Sequence, residues 1–335
     1  MALPDIAAIL VALGLSAYVV LGGADFGTGI WDLTAGKDMD LRARIKRSMA
    51  PVWEANHVWL IFILVVLWTA FPRAFGSITS TLALPLFLAA IGIILRGAAF
   101  ALRGEAASMF EQRSLGAVFA LSSLLVPFFL GAAVGGVAGE RVPEGNAAGD
   151  EITSWLNGLS LIVGALGVVT GAHIAAVFLG ADARRAGEEE LVAKLRTRAL
   201  ISGVVAGAFA LAGLLVVRSE VPRLWDGLTS GLGLVFVLVS ALAGLATLWL
   251  EWTARFEAAR WVVAVAVGAI VAGWVAAQQP YMLPPDLTVD EAAAGDATLT
   301  ALLIAVAIGL VVLVPSLTWL FRLTLRGQLD KGSNV

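Results

Sequence analysis

Cysteine is absent from the 335-residue sequence. The chain therefore forms no disulfides, and it cannot hold an iron–sulfur cluster or any other metal through thiolates. Charged residues are also scarce, at 14% of the chain, while hydrophobic residues reach 59%. Soluble domains carry about 25% charged residues, so this composition, with a mean hydropathy of +0.91, indicates an integral membrane protein. The net charge is −3 and no dense basic stretch occurs, which argues against a nucleic-acid partner.

Long apolar runs take the place of the missing polar residues. A membrane-spanning helix needs about 20 mostly apolar residues, whereas no alternating segments typical of a β-barrel recur. We predict an all-α integral membrane protein, one polytopic domain over residues 1–335 with about nine transmembrane helices. The predicted spans are 6–30, 55–71, 78–101, 115–138, 155–180, 199–217, 228–250, 261–279 and 297–321.

Lysine and arginine are distributed unevenly between the connections. With the N-terminus placed outside, all but four of the 22 basic residues lie in segments that face the cytoplasm. The four exceptions are Arg73, Arg141, Arg218 and Arg223. Because cytoplasmic loops are enriched in Lys and Arg, this pattern predicts an outside N-terminus and a cytoplasmic C-terminus. The connections are too short to hold a soluble domain, so the activity is expected within the bilayer or at its faces.

The stretch "PVWEANHVWL" places Glu54, Asn56 and His57 between Trp53 and Trp59, where the second span begins. One interpretation is an interfacial tryptophan belt with an amphipathic threshold. The other is functional, because Glu54 and His57 are one turn apart on the same helical face. A carboxylate beside hydrocarbon suits a group that takes up protons and passes them on.

A second acid lies in "GGADFGTG", near the end of the first span. Asp25 is about 28 Å along the helix from Ile6, at the inner membrane edge. It is either solvated by headgroup water or a functional acid that faces the helix bundle. The glycines predict close helix packing. Arg96 is the candidate counter-charge at similar depth, unless its side chain extends to the lipid headgroups.

Metal and haem sites can be tested against the histidines. Glu54-x-x-His57 resembles half of a di-iron site, but such sites need a second Glu-x-x-His. The other histidine is His173, and Thr170 stands three positions before it, so the di-iron hypothesis fails. A haem held between His57 and His173 stays open as an alternative to a structural hydrogen bond from His173. No phosphate loop or Ser/His/Asp arrangement occurs.

Together, "MAPVWEANHVWLI" and "LGGADFGTGIWDL" resemble subunit II of the cytochrome bd-type quinol oxidases. The resemblance extends through "ILRGAAFALRG", "HIAAVFLGAD" and "PYMLPP" and covers the whole chain. It implies a complex that takes electrons from a membrane quinol and reduces dioxygen to water in aerobic respiration, drawing protons from the cytoplasm to generate a proton gradient. It also implies two four-helix bundles plus a ninth helix.

The same resemblance implies partners and cofactors. Haem b and haem d belong to subunit I, which pairs with this chain as a heterodimer, and no cofactor or metal is expected in this chain itself. A small single-span third subunit stays open. The location would be the cytoplasmic membrane of a bacterium or archaeon.

Site residues also follow from the resemblance. Glu54 would lie on a proton path from the cytoplasm, with Asp25 and His57 assisting. The supporting structural residues would be Trp53, Asn56, Trp59, Arg96 and His173. The chain departs from the family pattern at three positions, Gly22, Ala101 and Ile174. Two alternatives are a secondary transporter, which would need acids at the bilayer midplane, and a purely structural scaffold subunit.

Overall fold

A computed structural model describes residues 2–36, 38–49, 53–103 and 108–325, without the side chains of residues 49, 53–55, 109, 321, 324 and 325. These residues form thirteen helices and one short hairpin. The helices are α1 Leu3–Thr34, α2 Met39–Met49, α3 Trp53–Ala70, α4 Pro72–Thr81, α5 Ala83–Leu102, α6 Met109–Ala138, α7 Gly158–Arg185, α8 Glu189–Glu220, α9 Pro222–Leu228, α10 Gly231–Trp252, α11 Phe256–Gln278, α12 Val289–Ala292 and α13 Asp296–Leu325. The hairpin pairs β1, Tyr281–Leu283, with β2, Leu287–Thr288.

Eight of the described helices are long and apolar enough to cross a membrane, and the shorter apolar helix Asn56–Ala70 is a ninth candidate. The all-α class is therefore confirmed. The helices extend beyond several predicted spans, because hydropathy marks the apolar part of a helix and not its polar ends. Helix α8, for example, begins at Glu189 and not at residue 199.

Three features differ from the predicted spans. The stretch 78–101 is divided between α4 and α5 at Leu82. Proline at the first helical position opens both short helices, α4 and α9, since its ring fits a first turn and interrupts a continuing helix. The connection between the first two predicted spans contains α2, whose start is stabilised by Asp38 accepting a hydrogen bond from the Leu41 amide at 3.1 Å.

The long helices pack as two groups. In the first helix group (α1, α3, α5 and α6), Tyr18, Phe26, Ala89 and Val126 form one buried cluster. The second helix group comprises α7, α8, α10 and α11. Helix α13 lies beside α1 and α3.

The two groups meet where α1 and α6 contact α7. A Cβ on Gly27 would lie 2.0 Å from the Gly171 carbonyl oxygen, so the backbones approach too closely for any side chain at this point. The expected role of the glycines in close packing is confirmed here.

Ion pairs join the connecting segments to one another at both ends of the helices. At one end, called the basic end below, Glu188 pairs with Arg44 and Arg47, and Asp38 pairs with Lys194 at 3.2 Å. At the other end, Arg223 pairs with Glu140 at 2.9 Å, and Arg73 pairs with Glu144. Two of the four basic residues assigned to the outside therefore share an end.

Candidate functional site

A buried ion pair lies inside the first helix group, toward the basic end. Asp25 on α1 is 4% exposed and Arg96 on α5 is 2% exposed. Arg96 Nη1 donates to Asp25 Oδ2 at 2.7 Å, and Nη2 donates to Oδ1 at 3.1 Å and to the Asp25 carbonyl at 2.8 Å. Both carboxylate oxygens are thus hydrogen-bonded, and the pair carries no net charge. Arg96 binds the acid and does not extend to the headgroups.

Neighbouring side chains fix the Arg96 guanidinium. Its Nε donates to Ser123 Oγ at 3.0 Å, and its plane lies over Phe26 and Phe119 at 5.0 and 4.7 Å from the ring centroids. A Cβ on Gly29 would lie 2.1 Å from Ser123 Oγ. Glycine at this position therefore lets the serine approach α1 and anchor the arginine.

A second acid–arginine pair lies seven residues further along the same two helices. Arg103 Nη1 donates to Asp32 Oδ2 at 2.7 Å, and Arg42 lies 3.9 Å from the same carboxylate. The Arg103 side chain is 32% exposed, compared with 2% for Arg96. The two pairs lie one behind the other, from the basic end toward the interior of the helix group. Sequence reasoning overlooked Asp32, although the equal spacing of the two acids and the two arginines is visible in the sequence.

His57 on α3 lies beside the Asp25–Arg96 pair. Its Nε2 lies 3.8 Å from Asp25 Oδ2, and its ring contacts Phe26 edge-on at 5.7 Å and Tyr18 at 6.0 Å. The His57 side chain is 18% exposed, whereas that of Asp25 is 2% exposed. His57 is therefore the member of this cluster that remains open to the outside of the helix group.

The other predicted residues of α3 are placed only in part. The side chains of Glu54 and Trp53 lie outside the described residues, although the backbone puts Glu54 in the first turn of α3, one turn before His57. Asn56 is buried, at 5% exposure. Trp59 packs against the Tyr18–Val126 cluster and contacts Phe62 edge-on, with ring centroids 6.0 Å apart. It faces the helix group and not the membrane interface.

His173 contacts a different acid, in the second helix group. Its Nδ1 lies 3.2 Å from the Ala199 carbonyl oxygen on α8, and its Nε2 lies 3.5 Å from Glu251 Oε1 on α10. Glu251 is fully buried, at 0% exposure. Glu251 was not predicted as a site residue, because it follows a predicted span and resembles a loop residue. A lone acid between Leu250 and Trp252 was the available signal.

This geometry does not fit a haem between the two histidines. A haem iron would need to lie against Nε2 of each ring, but each Nε2 faces a carboxylate on a neighbouring helix. Among the described residues, no group of three or more His, Cys, Asp or Glu could hold a metal ion.

Comparison with known proteins decides the family. The sequence model for "Cytochrome bd terminal oxidase subunit II" matches residues 3–324. The chain belongs to this family. It is 22% identical over 324 residues to the "Putative cytochrome bd menaquinol oxidase subunit II" of Bacillus subtilis (strain 168), covering 93% of this chain and 92% of that protein. It is 30% identical over 129 residues, 38% of each chain, to the "Cytochrome bd ubiquinol oxidase subunit 2" of the same organism.

A solved structure agrees with this assignment. The bd oxidase from Geobacillus thermodenitrificans includes a chain with a TM-score of 0.77 and 26% identity, over 96% of this chain and 98% of that one. The protein is therefore a multi-pass membrane subunit of a bd-type quinol oxidase complex.

Proposed function

We propose that this chain is the haem-free subunit of an oxidase that oxidises membrane quinol and reduces dioxygen to water, and that it supplies a proton-uptake path. The path begins at Glu54, passes His57 beside the Asp25–Arg96 pair, and leads toward the partner subunit. Dioxygen reduction consumes protons, so a path that starts only in the cytoplasm contributes to a proton gradient. The relatives named as menaquinol and ubiquinol oxidase subunits support the quinol as electron donor.

The proposal depends on one observation, the buried cluster of His57, Asp25 and Arg96. Burying an acid and a base costs free energy unless they are paired, so ionisable groups inside a membrane protein are retained for function more often than for stability. Because Arg96 engages both oxygens of Asp25, the carboxylate is held in place 3.8 Å from His57 Nε2. His57 has a titratable ring and partial exposure, so it exchanges protons with Glu54 one turn away.

The more exposed ion pair, Asp32 with Arg103, lies toward the basic end and supports a proton path that starts there. Its charges keep polar surface at the entrance without adding net charge. The excess of Lys and Arg at this end supports a cytoplasmic orientation. The remaining parts of the proposal are haem b and haem d in subunit I, a heterodimer with room for a small third subunit, and the cytoplasmic membrane of a bacterium or archaeon.

The decisive experiment replaces Glu54 in the assembled complex. We expect Glu54→Gln and Glu54→Ala to assemble with full haem content and to lose at least about 90% of quinol-driven oxygen consumption, since a positioned proton carrier contributes at least tenfold to a rate. The control is Glu190→Gln, an exposed acid at the same end with 85% of its side chain accessible, which is expected to keep normal turnover.

Normal turnover in an assembled Glu54→Ala complex would reduce the chain to a structural scaffold. A second measurement tests the cofactor assignment. A Soret band in the visible spectrum of the chain purified without its partner would show that it binds haem itself.

A further inference from the structure

Glu251 is a buried acid that the proposed path does not use. Its side chain is fully buried between helices of the second group, and neither carboxylate oxygen receives a hydrogen bond from the residues that the structure describes. A buried carboxylate anion is normally stabilised by several donors or by a bidentate cation, as Asp25 is. The surroundings of Glu251 suit the neutral carboxylic acid instead.

The neighbouring histidine identifies the partner for such an acid. His173 Nδ1 lies 3.2 Å from the Ala199 carbonyl oxygen, and because a carbonyl can only accept, Nδ1 carries a hydrogen and donates it. In a neutral imidazole, the other nitrogen then has a lone pair. That nitrogen, Nε2, is the atom that lies 3.5 Å from Glu251 Oε1. A protonated Glu251 is a donor that matches this lone pair.

The charged groups that the surrounding helices place at this end are engaged elsewhere. On α7 and α11, Asp182 lies 3.5 Å from both Arg185 and Arg260. On α8 and beside α10, three arginines lie over tryptophan rings. These are Arg196 over Trp252, Arg198 over Trp31, and Arg255 over Trp249. Glu251 therefore has His173 as its ionisable partner within the described residues.

We propose that Glu251 and His173 form a proton-binding site in the second helix group, in which Glu251 holds one proton and His173 Nε2 is the acceptor to which that proton passes. The ligand is a proton that exchanges with water. The site is separate from the Asp25 cluster, because α7 lies between them. On one side of α7, the Ala172 carbonyl accepts a hydrogen bond from Trp31 of α1 at 2.8 Å, and the next residue, His173, faces α8 and α10.

Gly203 on α8 keeps the imidazole in position. A Cβ at Gly203 would lie 2.7 Å from His173 Cε1. Any side chain at this point would displace the ring from Ala199 or from Glu251. The glycine thus leaves room for the donor and acceptor contacts on which the site depends.

Infrared spectroscopy of the assembled complex tests the site without relying on turnover. The difference between wild type and Glu251→Gln, recorded in H2O and in D2O, is expected to show one carboxylic-acid C=O band that the variant lacks. The band should shift to lower frequency in D2O. The matched control is Glu257→Gln on α11, an exposed acid paired with Arg185, which should remove carboxylate bands only.

Three results would overturn the proposal. Loss of carboxylate bands in Glu251→Gln would mean that Glu251 is ionised, and a band unaffected by D2O would mean that its proton does not exchange. The third result uses His173→Gln, which also serves if Glu251→Gln does not assemble. This variant should move the C=O band of Glu251, because the acceptor changes, and an unmoved band would remove His173 from the site.

Discussion

The two helix groups bury ionisable residues at the same end of the protein but stabilise them differently. In the first group, Asp25 receives two hydrogen bonds from Arg96, and Ser123 and two aromatic rings hold the arginine. In the second group, Glu251 faces one histidine at 3.5 Å and receives no hydrogen bond from the described residues. The comparison shows that burial alone does not define the state of an acid. The donors around it decide whether it is a fixed partner or a site that a proton can occupy.

This difference predicts unequal costs of substitution, and the largest is expected at Arg96. Arg96→Met leaves Asp25 as a buried charge without its cation, which destabilises a protein by about 3–5 kcal/mol. We expect little or no assembled complex, measured as the yield of haem-containing complex and its thermal stability in detergent.

The double variant Asp25→Asn with Arg96→Met should recover much of the yield, because the unpaired charge is removed together with its partner. The control is Arg113→Met, an exposed arginine on α6, which is expected to assemble normally. Equal yields of the Arg96→Met and Arg113→Met complexes would show that the Asp25–Arg96 pair does not stabilise the fold.

The boundary between the groups should be the next most sensitive position. Gly27→Ala places a methyl group 2.0 Å from the Gly171 carbonyl oxygen, and overpacking of this kind costs about 1–3 kcal/mol. The expected result is a lower thermal midpoint of the assembled complex, because α1 and α7 must move apart to make room for the methyl group. Gly207→Ala on α8, where a Cβ meets no described atom within 4 Å, should leave the midpoint unchanged.

Much of the first site was accessible from the sequence, but of the second site only His173 was. The polar positions Asp25, His57 and Arg96 stand out against apolar spans, and helix depth brings them to one level. Hydropathy cannot show which of two chemically sensible partners an arginine selects, so its contact with Asp25 needed the structure. Glu251 was overlooked because hydropathy treats the end of a span as exposed, whereas the packed helices bury Glu251 beside His173 of α7. The helix α2 was also overlooked, since an amphipathic surface helix carries no membrane signal.

The third substitution asks whether Glu251 stabilises the fold at all. If its carboxyl group is neutral, Glu251→Gln replaces one uncharged polar group by another of the same shape. The free energy of unfolding should then change by less than about 1 kcal/mol, the size of one neutral hydrogen bond. Thermal unfolding of the assembled complex, measured beside Asp25→Asn, makes the comparison direct, because Asp25→Asn leaves Arg96 unpaired and should be clearly less stable. A loss at Glu251 as large as that at Asp25 would contradict the distinction between the two groups.

The smallest effect is expected at a solvent-exposed acid, which gives the reference for both buried ones. Asp150 accepts hydrogen bonds from the amides of Ile152 and Thr153 at 2.9 and 2.7 Å, and the Thr153 amide, followed by that of Ile152, lowers the pKa of Asp150 below its ordinary value. Because the folded pKa is the lower one, the stabilisation is present above the ordinary aspartate range and is lost as the pH falls through the folded value. Amide hydrogen exchange at residues 152 and 153 should therefore quicken relative to its intrinsic rate on acidification.

In Asp150→Asn this pH dependence should disappear while the yield of the complex stays normal. If the wild-type exchange follows the intrinsic rate throughout, Asp150 does not order this turn, and hydrogen bonds to an exposed carboxylate are weaker here than the geometry suggests.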